Sequence, residues 1–423
     1  MKIYAFEGFR FTSQVGEAGE QGAPPFDQIN EQRAQEFHAR SPHHFAHLTR
    51  PAPENAERGI TGSTYQRAAS THQQWLASGA VVRDGKPALY PYIIEVADGT
   101  RRIGVCALVG VEPEGSTVIR PHEHTLDKPF ADRLEMTRTT EIDLEPVMFL
   151  ADDPQTLEDL VLQDAAGSEP AVTHRDDDGN LHKLWVQDNP ERILAYQREL
   201  ANRPAAIADG HHRYKVARTY AEQTHAAPGT AAGAKMTVLF SLHSKDVVID
   251  PIHRALGAGL DLASLHPMLA SRGTVTVSSG AEFAALIAQE DNPVARPALG
   301  ILTADGHTEI WHLDPRRMPE GRAPGADRLA VCHLHWSLLP QLGLSEANYL
   351  DGTVIYRSFP DELWTQVKNP NNPLAVGIFL PPMSGPLFGH AVSKGDVLPA
   401  KSTRFLPKLA SGLVWVGHDA KLI

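Results

Sequence analysis

The chain has 423 residues, of which 42% are hydrophobic and 21% charged, and its formal net charge is −12. This composition is that of an ordinary globular protein, and the length favours two domains over a single core. The acidic balance argues against a general nucleic-acid or anionic-membrane surface. The two cysteines, Cys106 and Cys332, are too few and too far apart for a disulfide scaffold or a zinc ribbon.

The chain begins M-K-I-Y-A-F-E-G-F-R, which lacks the apolar core of a secretion signal. No run of about 18 apolar residues occurs that would span a membrane. We therefore expect a cytoplasmic protein with no membrane or nucleic-acid partner. The 21 histidines favour a site built on imidazole, and the composition leaves the oligomeric state open.

The first half of the chain predicts strands and helices joined by short turns. The first strand is expected over residues 2–9, and an Asp-Gly pair at 98–99 makes residues 88–111 a β-hairpin. The D-D-D-G-N turn at 176–180 predicts a second hairpin between residues 172 and 186. The helical patterns of this half cover residues 30–39, 64–78, 130–142 and 188–201.

The second half continues with buried strands and two further helices. The predicted strands are 236–242, 247–249, 299–303 and 309–313, and the predicted helices are 262–272 and 281–289. Because helices and strands alternate without a strict β-α-β rhythm, we predict an α+β fold with mixed sheets. A change of composition near residue 255 predicts an N-terminal domain over 1–255 and a C-terminal α/β domain over 256–423.

Residues 208–214 read A-D-G-H-H-R-Y and join a predicted strand to a predicted helix. The first N–H groups of a helix lack backbone partners and the helix dipole is positive there, so anions bind well. Gly210 allows close approach of a ligand, and Arg213 can hold a phosphate through two parallel hydrogen bonds. We predict that Gly210, Arg213 and the imidazoles of His211 and His212 bind phosphate. The alternative is a helix capped by Asp209, with solvated histidines.

A second cluster, R-P-H-E-H-T, occupies residues 120–125. Extended backbone at Pro121 would point His122 and His124 to one side and Glu123 to the other. The two imidazoles suit a metal ion, whereas Glu123 suits a general base. Arg120, which opens the cluster, adds a cation for a substrate, and a solvated charged loop is the alternative.

A third candidate is the segment L-P-A-K-S-T-R-F-L-P-K-L-A-S-G-L-V at 398–414. Lys401, Ser402 and Thr403 supply a cation and two hydroxyls, which suit a carboxylate or phosphate. An exposed basic loop would have the same composition. Arg133, in the predicted helix 130–142, is a further anion-binding candidate, and the His-Arg pair at 253–254, at a strand end, is a further candidate for a functional role.

Several familiar signatures are absent from the sequence. It contains no Walker A loop, no G-x-G-x-x-G after a strand, no H-E-x-x-H and no G-x-S-x-G. A nucleotide bound by this chain would therefore use a less common cradle.

Taken in order, five motifs resemble those of a bacterial and archaeal family known as domain-of-unknown-function family 1015. They are A-P-P-F-D-Q-I (23–29), F-A-H-L-T-R-P (45–51), I-R-P-H-E-H-T with A-D-R-L (119–134), A-D-G-H-H-R-Y (208–214) and P-A-K-S-T-R-F-L-P-K-L-A-S-G-L-V (399–414). The resemblance covers nearly the whole chain. It implies family membership and leaves the reaction open, because the family is largely uncharacterised.

The turn at 208–214 is also similar to the nucleotide-binding box of the ParB/sulfiredoxin-like superfamily. That group includes sulfiredoxins, CTP-hydrolysing partition proteins and free-serine kinases. The similarity implies that Arg213 matches their phosphate-gripping arginine. His211 stands where sulfiredoxins have their cysteine, which argues against sulfinic-acid repair. The D-G-H-H-R form is most similar to free-serine kinases, which use a glutamate base. Glu123 is the candidate here, although the motif around it departs from theirs.

The leading hypothesis is a nucleotide-dependent kinase that phosphorylates a small hydroxylated metabolite, with free serine as one example. ATP or ADP would bind at residues 210–213, and Asp209 would hold Mg²⁺. The predicted catalytic residues are Glu123, Asp209 and His211. The predicted substrate-binding residues are Arg120, His122, His124, Lys401, Ser402 and Thr403. The alternatives are a metal-dependent phosphohydrolase with histidine ligands and a nucleotide-binding regulatory protein without turnover.

Overall fold

The structure is a computed structural model. It describes residues 1–17, 19–53, 61–123, 127–257, 267, 273–288, 296–320, 322, 325–345, 348, 351–369, 371, 374–395 and 397–423. Within these ranges, no helix is both long enough and apolar enough to cross a membrane.

The helices, in chain order, are α1 Glu31–Arg40, α2 Ala46–Thr49, α3 Thr64–Ser78, α4 Asp127–Thr140, α5 Thr156–Ala165, α6 Pro190–Leu200, α7 His211–Thr224, α8 Gly280–Ala288, α9 Ala330–His333, α10 Pro360–Val367 and α11 Gly385–Ser393. The strands are β1 Ile3–Tyr4, β2 Phe9–Phe11, β3 Val81–Arg83, β4 Tyr90–Glu95, β5 Arg101–Gly110, β6 Ile119–Arg120, β7 Ile142–Asp143, β8 Val147–Ala151, β9 Val172–Arg175, β10 Leu181–Leu184, β11 Ala205–Asp209, β12 Ala234–Ser241, β13 Val248–Asp250, β14 His253–Gly257, β15 Gly273–Val277, β16 Ala298–Thr303, β17 Thr308–Leu313, β18 Val354–Arg357, β19 Leu374–Phe379, β20 Met383–Ser384, β21 Arg404–Phe405 and β22 Val416–Gly417.

The chain forms two compact units, each discontinuous in sequence. The first comprises Met1–Pro121, Thr125–Asp246 and Pro407–Ile423, and the second comprises His122–His124 and Val247–Leu406. That residues 1–255 and 256–423 form two independently folding domains stays a prediction.

The first unit contains a mixed sheet whose described strands run in the order β6-β11-β8-β12-β5-β4-β10-β9, with β1 also paired to β5. The pairs β11–β6 and β12–β8 are parallel. The central strands β5 and β12 are buried along most of their length, as expected for apolar, β-branched segments covered on both faces. Helices α5 and α6 pack onto this sheet through buried side chains such as Leu157 and Tyr196, which belong to its main apolar core.

Local sequence signals explain several elements of the first unit. Helix α3 opens with a capping box formed by Ser63 and Gln66 and ends at Gly79 in the left-handed conformation. The predicted hairpins are confirmed by the antiparallel pairs β4–β5 and β9–β10. The predicted strand-to-helix turn at 208–214 is confirmed, because β11 ends at Asp209 and α7 begins at His211.

The second unit contains a sheet with the described order β15-β17-β16-β19-β14-β18, in which all described pairs are antiparallel. Helices α8 and α10 bury Phe283, Leu363 and Val367 against it. A smaller sheet, β20-β13-β21, carries the segment 398–405 at one edge. The α+β class with mixed sheets is therefore confirmed. The helix predicted over 262–272 lies outside the described residues, apart from residue 267.

Candidate functional site

The turn from β11 to α7 depends on a glycine. Gly210 is the N-cap of α7 and has φ +92°, a left-handed conformation that side chains rarely adopt. A Cβ atom at this position would also lie 2.8 Å from Cγ1 of Val147. Both observations require glycine here, so the backbone of the turn is fixed by residue 210.

The start of α7 is not capped by a side chain. The interpretation of Asp209 as the N-cap is therefore wrong, because the cap position belongs to Gly210 and the Asp209 carboxylate bonds elsewhere. His211 and His212, in the first turn of the helix, are half-buried. The positive end of the helix dipole and two imidazoles therefore lie together at this edge of the sheet.

Asp209 and Arg213 form an ion pair one helical turn apart. The Arg213 Nη2 donates to Oδ2 of Asp209 at 2.6 Å, and its Nη1 donates to the carbonyl of Pro146 at 2.5 Å. Lys408 Nζ donates to the other carboxylate oxygen, Oδ1. Arg213 is only 7% exposed. The guanidinium is thus occupied by acceptors of the protein itself, rather than extended toward a ligand.

The charges around Asp209 determine its protonation. Burial opposes ionisation, but Lys408 and Arg213 outweigh this effect and lower the pKa of Asp209 to about 2. The carboxylate is therefore ionised at neutral pH and is a poor proton acceptor. Burial opposes the charge of Arg213, but the combined attraction of Asp209, Glu145 and other nearby carboxylates outweighs it and raises the pKa of Arg213.

A second ionic group lies beside this turn in the first unit. Lys235, on β12, donates to Asp143 and to the carbonyl of Glu145 at 2.7 Å. The Glu145 Oε1 accepts the backbone N–H of Phe26 at 2.8 Å. Lys235, Glu145 and Arg213 line a small cavity of about 40 Å³. This group was not predicted from the sequence, although a lysine inside the largely apolar run A-K-M-T-V-L-F is a visible signal.

Arg120, from the R-P-H-E-H-T cluster, also belongs to the first unit. It ends β6, which runs parallel to β11 and pairs with it through Ala206. Its Nε donates to the carbonyl of Thr117 at 2.9 Å. The next residues of the cluster belong to the second unit.

In the second unit, the predicted clusters around residues 122 and 402 come together. His122 is fully buried and its Nε2 lies 2.8 Å from Oγ1 of Thr403. Oε1 of Glu123 accepts the backbone N–H of Ser402 at 3.1 Å and the Thr403 hydroxyl at 3.3 Å. These pairs are about 280 positions apart in sequence, with separations of 279 and 280 for the Glu123 bonds. His124 lies outside the described residues.

The loop that carries Lys401 is held in an unusual conformation. Lys401 has φ +57°, a left-handed value uncommon for residues other than glycine. The fully buried Arg254 donates to the Lys401 carbonyl at 3.0 Å. The guanidinium of Arg254 lies 4.4 Å from the ring centre of Tyr356, and the Lys401 ammonium lies 5.8 Å from the same ring. The predicted pair at 253–254 thus contributes a positioning residue for the loop.

His335 completes the support of this loop. It lies in a π-helix over Leu334–Leu338, and its Nε2 accepts a hydrogen bond from Nε of Arg254 at 3.0 Å. Burial and the adjacent Arg254 hold the pKa of His335 well below its usual value, so the imidazole is neutral. Irregular π turns are frequent at functional sites.

Among the described residues, no group of three or more His, Cys, Asp or Glu side chains could hold a metal ion. Predicted residues cluster in each of the two units: Asp209 and Arg213 meet Lys408 in the first, and His122 and Glu123 meet Ser402 and Thr403 in the second.

The family model described as "protein of unknown function (DUF1015)" matches residues 3–329. The chain belongs to this family, as its five ordered motifs predicted. No curated protein matches the chain.

Three solved structures illustrate the more distant similarities. A conserved hypothetical protein from Pyrococcus furiosus is 13% identical with a TM-score of 0.33, covering 68% of this chain and 87% of that one. A free serine kinase in complex with AMP is 14% identical with a TM-score of 0.33, covering 68% and 84%. SbnI with a C-terminal truncation, from Staphylococcus aureus, is 13% identical with a TM-score of 0.36, covering 72% and 84%. At TM-scores below 0.5, these similarities do not establish a common fold.

Proposed function

We propose that this protein is a nucleotide-dependent phosphotransferase acting on a small hydroxylated metabolite, and that the turn 208–214 binds the nucleotide phosphates. The observation that carries the proposal is the start of α7, where a left-handed glycine replaces a capping side chain and two half-buried imidazoles follow. Such a helix start favours phosphate through its N–H groups and dipole. The similarity of the turn to a nucleotide-binding box supports a nucleotide as the source of the phosphate.

The ionic group at this turn has a positioning role in the proposal. Arg213 and Lys408 bind the two carboxylate oxygens of Asp209, and Arg213 also bonds the carbonyl of Pro146. These contacts fix the end of β11 and the first turn of α7 relative to each other. Arg213 thus acts through the backbone conformation of the turn, and the phosphates meet the N–H groups and the imidazoles.

The transfer step requires a proton acceptor. The substrate hydroxyl oxygen forms a bond to the terminal phosphorus as the bond from that phosphorus to the nucleotide oxygen breaks, and the hydroxyl proton passes to a base. Asp209, with a pKa of about 2, is too weak a base for this role. Within the first unit we assign it to the imidazole of His211, with His212 as a phosphate contact.

Mg²⁺ was predicted at Asp209, and the contacts of this residue argue against it. Both carboxylate oxygens accept hydrogen bonds from cationic side chains, which a metal ion would have to displace. We therefore assign no step to a metal held by Asp209.

Glu123 remains a predicted base, tested separately from His211. Its side chain is 21% exposed, and Oε1 already accepts two hydrogen bonds from the 402–403 segment. We expect Glu123→Gln to keep nucleotide binding, and a loss of turnover in this variant would assign the base to Glu123 in place of His211. An active variant would remove Glu123 from the reaction.

The test is a transfer assay on the full-length protein. ATP or ADP is incubated with serine and with other small hydroxylated acids, and nucleotide binding is followed in parallel by thermal shift. We expect phosphorylated product from the wild type and a loss of at least about tenfold in nucleotide affinity when His211 and His212 are both replaced by Asn. His225→Asn is the matched control, because His225 is exposed at the other end of α7 in a left-handed conformation that Asn tolerates.

The outcomes separate the candidate functions. Nucleotide binding without any transfer would favour the regulatory protein over the phosphotransferase. Unchanged affinity in the double variant would contradict the phosphate site. Release of phosphate that depends on an added transition metal would favour the phosphohydrolase.

A further inference from the structure

The helix α1 forms one wall of a cavity of about 250 Å³ in the first unit, which is lined on this side by Glu31, Ala34, Gln35 and His38. The structure describes all ten residues of α1, and only Phe37 among them is buried. A helix that buries so little surface gains little from the hydrophobic effect. Its position therefore depends on a few specific contacts.

Two ring stacks connect α1 to α2 and to the loop that precedes α2. The rings of Phe37 and His44 are stacked, with centres 4.4 Å apart and planes 14° apart. The rings of His38 and His47 are also stacked, with centres 4.3 Å apart and planes 21° apart. Each stack therefore includes an imidazole, and the second stack consists of two imidazoles.

Protonation of the imidazoles opposes both stacks. His44 has no exposed surface, and its Nδ1 accepts the backbone N–H of Ala46 at 3.2 Å. A second proton on this ring would occupy Nδ1 and remove the acceptor. If His38 and His47 were both protonated, two positive rings would lie with their centres 4.3 Å apart. The packing of α1 thus requires neutral rings.

The charges that act on His44 and His47 come from basic groups. Burial, followed by the charge of Arg40, lowers the pKa of His44 to about 3. Burial, followed by the effect of His38, lowers the pKa of His47 to about 4. Both imidazoles are therefore neutral at pH 7. The other groups that lower one or both of these pKa values are His43 in the loop, His174 on β9, and His38 and His47 themselves.

The carboxylates near α1 do not offset these basic groups. Asp177 is paired with Arg33 at 2.6 Å and with Arg40 at 4.0 Å. Beside α2, the Arg133 side chain of α4 is paired with Asp132. The other groups near the contact are the exposed Glu31 and Glu36 of α1 and the uncharged ring of Trp75 on α3. A proton gained by His44 would therefore add to a positive surrounding.

We propose that the packing of α1 against α2 and the preceding loop is sensitive to acid, and that protonation of His38, His44 and His47 releases α1 and opens the cavity. At neutral pH the uncharged rings stack and α1 closes this wall. In acid the charged rings repel one another and the guanidinium of Arg40, and they are stabilised by water once α1 is released. The release is local, because Phe45, at the start of α2, is fully buried in the core.

Hydrogen–deuterium exchange of the full-length protein at pH 7 and pH 5 tests the proposal. The measured quantity is the protection factor, which corrects for the pH dependence of the intrinsic exchange rate. An imidazole with a pKa of about 4 when packed and 6.5 when released raises the opening equilibrium about twentyfold between these pH values. We expect the protection of residues 31–40 to fall by at least about this factor, while the buried strand β12 stays protected.

His47→Gln is the test variant, because glutamine does not titrate and keeps a donor for the Ser41 carbonyl, which lies 3.1 Å from Nε2 of His47. We expect its loss of protection between pH 7 and pH 5 to be at least about fivefold smaller than that of the wild type. His43→Gln is the matched control, since the His43 ring faces Trp75 of α3, with ring centres 5.9 Å apart. The loss of protection in this control should equal that of the wild type.

Three results would overturn the proposal: unchanged protection of residues 31–40 between pH 7 and pH 5, equal loss of protection in α1 and β12, or a loss in His47→Gln as large as in the wild type. The first two results come from the wild type, so they decide the proposal without any variant. Because nucleotide is absent from these measurements, failure of the turn 208–214 as a nucleotide site would leave the expected result unchanged.

Discussion

The turn 208–214 of the first unit and the loop 398–405 of the second handle their charges in opposite ways. At the turn, both oxygens of Asp209 are bound by Arg213 and Lys408, and the guanidinium is buried. In the loop, the Lys401 side chain is exposed, and among the described contacts its ammonium meets only the ring of Tyr356. Instead, the guanidinium of Arg254 holds the loop by donating hydrogen bonds to the backbone carbonyls of Ala400 and Lys401.

The difference shows that a charge-rich motif does not identify the groups that touch a ligand. Asp209 and Arg213 are four residues apart, the spacing at which side chains meet at a helix start, and they bind each other. The turn thus offers backbone N–H groups and imidazoles, whereas the loop offers a side-chain cation on a constrained backbone.

The largest expected effect is a difference in stability between a substitution in the turn 208–214 and one at Glu123, which contacts the loop 398–405. Asp209→Asn leaves the buried Arg213 without its anion, and we expect a loss of about 3–5 kcal/mol in the free energy of unfolding. Glu123→Gln keeps its hydrogen-bond acceptor and should change the same quantity by less than about 1 kcal/mol. Urea unfolding followed by circular dichroism measures both. Equal destabilisation by the two substitutions would remove the contrast.

A smaller effect is the pH dependence of the unfolding free energy, which should differ between the Asp209 ion pair and the buried His72. Burial lowers the pKa of His72 to about 4, below its usual 6.5, so its contribution is complete above pH 6.5 and is lost as the pH falls toward 4. His72→Gln keeps an acceptor for Trp415 and lacks this titration. Wild type should lose about 2 kcal/mol relative to His72→Gln between pH 6.5 and 5.

The stability of Asp209→Asn, measured over the same pH range, is the comparison for His72. Since the pKa of Asp209 is about 2, the deficit of Asp209→Asn should stay constant over the same range. Its contribution is present above the unfolded pKa of an aspartate and is lost only as the pH falls toward 2. A deficit that shrinks between pH 6.5 and 5 would show that the carboxylate titrates there.

The smallest predicted effect concerns the backbone of the loop. Lys401→Gly relieves the left-handed strain, and we expect the unfolding free energy to rise by up to about 1 kcal/mol. Lys394→Gly is the control, because Lys394 is exposed at the end of α11 with φ −86° and gains nothing from glycine. Thermal unfolding of both variants checks this. A destabilised Lys401→Gly protein would contradict the claim that the left-handed backbone at Lys401 is strained.

Local elements were readable from the sequence because their signals are local. The helix predicted over 64–78 matches α3 in both bounds, since Ser63, Gln66 and Gly79 mark its ends. The strand predicted over 2–9 is wrong in extent: the structure has β1 at 3–4 and β2 at 9–11. Between them, Phe6 forms isolated bridges to Ala88 and Leu422, partners that the local sequence pattern could not reveal.

The candidate site was only partly readable for the same reason. The chemistry of residues 208–214 was visible in the sequence, but Lys408 reaches Asp209 from 199 positions away. The partners of His122 and Glu123 are equally distant in sequence. Ion pairing across such separations depends on the fold, so the sequence suggested a free phosphate-gripping Arg213 where the structure has a buried one.

A crystal structure with bound ADP tests the central claim most directly. We predict a phosphate within hydrogen-bond distance of the N–H groups at the start of α7 and of the His212 imidazole, with the Asp209–Arg213–Lys408 contacts unchanged. A nucleotide bound elsewhere, or an Arg213 side chain that leaves Asp209 to grip the phosphate, would contradict the account.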